Sequence, residues 1–90
     1  MPPVRRSLTI VNQQGLHARP ISKMIEVARR HRAAITIRCG EQAANGRKML
    51  EMLALAAPVG SVLEIEADGD DAAELVDELE RLLAARFGEE

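Results

Sequence analysis

The alternation of apolar and polar positions changes period several times along the chain, and each change predicts an element. Over residues 7–11, Leu8 and Ile10 alternate with Thr9 and Val11, the two-residue period of a strand. Residues 1–6 carry two prolines and read as a loose lead-in. Asn12, Gln13, Gln14 and Gly15 form a polar loop. Ile21, Met24, Ile25 and Ala28 then recur at helical spacing, which predicts an amphipathic helix over residues 18–30 ending among the cations Arg29, Arg30 and Arg32. His31 falls at that end and reads as a solvated helix-terminal residue.

Residues 34–39 return to alternation, with Ile35, Ile37 and Cys39 against Thr36 and Arg38, so Cys39 is expected to be a half-buried small residue without chemistry. Gly40 marks a hairpin turn into a short strand at 42–44, which Asn45-Gly46 breaks. Residues 48–54 predict a short helix of a different kind. Met49, Leu50, Met52 and Leu53, with Leu55 just beyond, leave it apolar nearly all round. A small domain cannot bury every face of such a helix, so its exposed part is either a docking patch or the cover of one end of the core. After a turn at 57–60, residues 61–67 set Leu63, Ile65 and Ala67 against Val62, Glu64 and Glu66. Asp71 with Glu74 has the spacing of a capping box. Ala72, Leu75, Val76, Leu79, Leu82, Leu83 and Arg86 then form the clearest helical stripe, which Gly88 ends; Glu89 and Glu90 read as a frayed terminus.

The order strand, helix, strand, strand, helix, strand, helix, with one-sided strands, predicts an α+β open-faced β-sandwich. Four mostly antiparallel strands would carry three helices on one face. Ninety residues suit a single domain, 1–90, with one modest core. Phe87 is the only aromatic residue, which argues against a base-stacking platform for nucleic acid. Charge is unevenly placed: residues 1–48 hold ten basic and two acidic residues, a net of +8, whereas residues 49–90 hold two and twelve, a net of −10. The basic half suits an anionic group or an acidic partner surface, and the acidic half weakens a nucleic-acid reading. One cysteine permits no internal disulfide, no metal-ligand pattern occurs, and a reducing cytoplasm is the expected setting. Thr9 and Asn12 interrupt the apolar segment that an export signal after Arg5-Arg6 would need, and the longest apolar stretch, 52–57, is too short to cross a bilayer. A soluble monomer without cofactor is expected.

Candidate chemistry collects in Gly15-Leu16-His17-Ala18-Arg19-Pro20. Gly15 allows a tight turn. His17 offers a ring that can be neutral near pH 7. Pro20 fits the opening turn of a helix, where no N–H is needed. A helix starting near Ala18 would aim unpaired N–H groups and its positive dipole end at whatever His17 carries, with Arg19 adding a permanent cation. Taken alone, a His after a Gly also fits a helix cap or a surface residue.

This hexapeptide resembles the active-site signature of the HPr family of histidine-containing phosphocarriers, which includes NPr, of the bacterial phosphoenolpyruvate-dependent phosphotransferase system. The resemblance continues through Lys48-Met49-Leu50 and Glu64-Ile65-Glu66-Ala67-Asp68-Gly69 into the last helix, and it implies the same open-faced sandwich. It further implies a carrier rather than a free-standing enzyme. His17 would accept phosphate on Nδ1 from phosphorylated enzyme I and pass it to an enzyme IIA component, in sugar transport or in the nitrogen branch. Arg19 would stabilise the phosphate charge, Gln14, Gly15, Ala18 and Pro20 would support the site, and Leu16, Lys48, Met49, Leu50 and Leu53 would meet partners. Gln14 stands where HPr proteins often have Asn, Ile21 where Ala is common, and Lys48 where many carry a regulatory Ser. Lys48 has no hydroxyl, so an HPr-type serine kinase is not expected to modify it. The competing reading is a regulatory docking module that binds proteins through the apolar helix around Met49–Leu53 without chemistry.

Overall fold

Helices and strands form in the predicted order in the computed structural model, which describes residues 2–89: β1 (Val4–Thr9), α1 (Ala18–Arg29), β2 (Ala34–Cys39), β3 (Gln42–Asn45), α2 (Met49–Ala54), β4 (Val62–Asp68) and α3 (Ala72–Ala84), followed by a 3-10 turn at Arg86–Gly88. The strands lie in the order β1-β4-β2-β3 and every neighbouring pair is antiparallel. Leu8, Ile35, Ile37, Leu63, Ile65 and Ala67 face the helices and are buried with Ile21, Met24, Ala28, Met52, Leu75 and Leu79, as alternation and helical stripes require. The other face of the sheet is polar: Arg5 Nε donates to Glu66 at 3.0 Å and Ser7 Oγ to Glu64 at 2.8 Å.

Several expectations are corrected. The first strand begins at Val4, so residues 4–6 are not lead-in; Arg5 and Arg6 pair with Glu66 and Ile65 of β4. The Arg6 guanidinium also sits 2.5 Å from Asp77 and 2.8 Å from Glu80 on α3, which holds an otherwise unfavourable pair of arginines in the sheet. At its other end the strand stops at Thr9, although Ile10 still donates to Ser61 O and accepts from Gly60 N. The last strand runs on to Asp68, paired with Ala34, and the second helix starts at Met49 with Lys48 as its N-cap, making no side-chain capping bond. Arg86 lies outside α3.

The largest corrections concern the far end of α1. Asp71 is no capping box: its side chain makes no bond to its own helix and accepts instead from the backbone N–H groups of Arg32 and Ala33, each at 2.9 Å. His31 is not solvated. Its side chain is 8% exposed, with Nε2 2.8 Å from Glu78 and Nδ1 3.3 Å from Asp71. Arg30 donates to the same Glu78, and Arg47 caps the end of α1 by donating to the carbonyls of Ala28 and His31. These contacts clasp α1 to α3. The Arg32 N–H, aided by Ala33 and by the nearby His31, holds the Asp71 carboxyl below its ordinary range, and Arg30 with His31 does the same for Glu78.

Carboxyls depressed in the folded state contribute stability while the pH is above their unfolded values and lose it as the pH falls through the folded ones. The combined variant Asp71→Asn, Glu78→Gln should therefore show a flatter decline of thermal midpoint between roughly pH 5 and pH 2 than the parent. Parallel profiles from the two proteins would show that the clasp does not set acid stability.

Candidate functional site

The loop between β1 and α1 is built to hold one residue in place. Gly15 has φ +74°, a conformation that side-chain-bearing residues rarely adopt, and a Cβ added there would lie 2.7 Å from Ala57 O and 3.0 Å from Pro58 Cα. That close approach lets Leu16 N donate to Ala57 O at 2.8 Å and seats the Leu16 side chain in the core. Leu16, expected to meet partners, is therefore only 5% exposed and serves the core instead.

His17 follows as the N-cap of α1. Its backbone is extended (φ −109°, ψ −174°), its carbonyl accepts the helical bond from Ile21 N at 3.1 Å, and its side chain makes no capping bond. The imidazole is thus not consumed by the helix. Pro20 occupies the third helical position, buried and without an N–H, so Ala18 and Arg19 are left as the orphan backbone donors of the first turn. Ala18, Arg19 and Gln14 are exposed, and Arg19 makes no ion pair among the described residues. Arg19, Lys23 and Gln14 line a polar hollow with Gly88 and Glu89.

The His17 side chain is 33% exposed, and its Nε2 is fully buried 2.9 Å from Oε2 of Glu89, a close approach that lacks the alignment of a hydrogen bond. No hydrogen bond or ion pair among the described residues engages Nδ1. Asn12, wholly buried, donates through Nδ2 to Gly15 O at 2.8 Å and to Glu89 Oε1 at 3.0 Å. Glu89 is therefore not frayed: its side chain is 12% exposed and reaches the loop between β1 and α1. Glu90 lies outside the described residues. Sequence reading missed Asn12 and Glu89, which are 77 positions apart and carry no shared local pattern.

The expected docking residues divide by exposure. Leu50 is 80% exposed, Leu53 and Lys48 are also exposed, and Met49 is half-buried against the core. Met49 lines a groove between α1 and α2 together with Ser22, Ile25, Glu26, Arg29 and Arg47. Met52 and Leu55 are buried, so α2 covers the core on one side and leaves an apolar ridge on the other.

A family model described as "PTS HPr component phosphorylation site" matches residues 4–85. The chain belongs to the HPr phosphocarrier family of the phosphotransferase system. It is 34% identical over 86 residues to the phosphocarrier protein HPr of Neisseria meningitidis serogroup A, covering 96% of this chain and 97% of that one. It is 35% identical over 89 residues to the phosphocarrier protein NPr of Shewanella violacea, covering 99% and 98%. The crystal structure of an HPr from Thermoanaerobacter tengcongensis superimposes with a TM-score of 0.92 at 29% identity, covering 97% of this chain and 98% of that one. The open-faced sandwich expected from the sequence is thus the HPr fold. The stretch matched by the family model contains the whole loop from Asn12 to Pro20. No helix among the described residues is long and apolar enough to cross a membrane.

Proposed function

We propose that this protein carries a phosphoryl group on Nδ1 of His17, taking it from phosphorylated enzyme I and delivering it to an enzyme IIA component of the sugar or the nitrogen branch. The observation that carries this reading is the ring itself: an imidazole at a helix N-terminus, free of capping duty, with Nε2 covered and Nδ1 unengaged by any of the described residues. In the transfer, the Nδ1 lone pair attacks phosphorus, and the bond to the donor breaks with its electron pair left on the donor. The new phosphate gains the open end of α1, with its N–H groups and dipole, and the guanidinium of Arg19, which makes no ion pair among the described residues. Gly15 and Pro20 shape the loop and first turn, while Gln14 and Ala18 border the ring at the surface.

Incubation with labelled phosphoenolpyruvate and enzyme I should place acid-labile label on the peptide containing His17. No label above background would overturn the reading. A docking module without chemistry would have no use for an imidazole kept free in this way.

Partner contact is assigned to the exposed ridge of α2, Leu50 and Leu53 with Met49, extended by the cation of Lys48. Leu50→Asp should weaken enzyme I binding by about tenfold or more, the scale of an apolar interface anchor. Its thermal midpoint should stay within a few degrees of the parent, because Leu50 is 80% exposed. A fall in thermal midpoint with unaltered affinity would place Leu50 with the core instead.

A further inference from the structure

We propose that Glu89 is a positioning residue for His17: its carboxylate holds the imidazole by Nε2, so the ring proton resides there and Nδ1 presents its lone pair. This rests on the reading of His17 as the phosphoryl acceptor and names the group that selects which ring nitrogen reacts. A neutral imidazole has one N–H and one bare nitrogen, and the partner of one decides the state of the other. Glu89 Oε2 is 2.9 Å from Nε2, and both atoms are shut off from solvent. A carboxylate can only accept, so the proton belongs on Nε2 and no proton need leave Nδ1 when it attacks phosphorus. Once Nδ1 is phosphorylated, the ring with its Nε2–H is cationic, and the same carboxylate neutralises it. The contact is not yet an aligned hydrogen bond, as is common for catalytic contacts before the reacting complex forms.

The chain spends structure on this placement. Asn12, buried completely, grips Glu89 Oε1 at 3.0 Å with the same amide that holds Gly15 O, and so ties the carboxylate to the loop that carries His17. Behind Glu89, Arg86, Phe87 and Gly88 all have positive φ (56°, 56° and 76°), and two of the three are not glycine. L residues in that conformation are sterically disfavoured and persist only where their surroundings over-determine them. Here the anchors are the buried Phe87 ring and Lys23, whose ammonium donates to Phe87 O. The resulting turn carries the chain out of α3 and sets Glu89 on His17.

The test joins ring spectroscopy to transfer kinetics. Long-range 15N–1H NMR of the parent, at a pH where His17 is neutral, should show the Nε2–H tautomer; an Nδ1–H ring overturns the proposal without any variant. Glu89→Ala should mix the two tautomers and slow phosphoryl uptake from enzyme I by about tenfold, as loss of an orienting partner does at comparable sites. Glu89→Gln, whose amide oxygen can face Nε2–H as an acceptor in the same place, should keep the Nε2–H form and stay within about threefold of the parent. A Glu89→Ala protein with the parent's tautomer and rate overturns the proposal. So do alanine and glutamine variants equally slowed with an unchanged tautomer, since that is the behaviour of a merely structural tail. If the parent takes up no phosphate, the phosphocarrier reading fails, and the tautomer measurements still decide whether Glu89 sets the ring.

Discussion

His17→Ala should remain folded and take up no acid-labile phosphate from phosphorylated enzyme I. Little of the fold depends on this side chain: it is 33% exposed and makes no capping bond, and among the described residues its one close polar contact is to Glu89, just past the last turn. A change of thermal midpoint worth no more than about 1 kcal/mol is expected, the scale of one modest contact. Loss of transfer should nevertheless be complete, because no other group can substitute. The second histidine, His31, has its side chain 8% exposed with both ring nitrogens facing carboxylates, so neither is open to attack. Circular dichroism with a labelling assay decides the matter. Residual label on the variant would place the acceptor elsewhere, and an unfolded variant would show that His17 is structural.

Gly15→Ala should damage fold and function together. An alanine Cβ would sit 2.7 Å from Ala57 O, inside the contact limit of backbone that is itself held by the bond from Leu16 N, and φ +74° is unfavourable for any L residue. Neither partner is a flexible side-chain end that could swing away. Strain and displacement together should cost about 3 kcal/mol, or roughly 12–24 °C in thermal midpoint for a domain of this size. Below that midpoint, uptake should still fall more than about tenfold, because the residue two positions on is the proposed acceptor and a small misplacement of a reacting atom is costly. A variant with the parent's midpoint and rate would show that the loop can relax around the methyl group.

What the sequence by itself determined is what local periodicity encodes. Alternation in Ile35-Thr36-Ile37 and Leu63-Glu64-Ile65 sets which face of each strand is buried. The stripe Ile21, Met24, Ile25, Ala28 sets the buried side of α1, and Gly15 with Pro20 brackets the turn into that helix and so singles out His17. These signals survive because a two-residue or a 3.6-residue period must be satisfied whatever the rest of the chain does. The tertiary structure alone decided which polar side chains meet. Asp71 carries a local capping signal, yet its carboxylate serves the backbone of residues 32 and 33, because folding brings two unsatisfied N–H groups to it. His31 ends a helix rich in cations and reads as solvated, yet α3 supplies two carboxylates that enclose it. Glu89 looks like loose end until the turn through Arg86, Phe87 and Gly88 delivers it to Asn12 and His17. In each case the partner lies tens of residues away, at a spacing no periodicity reports, and its position follows from how the helices pack on the sheet.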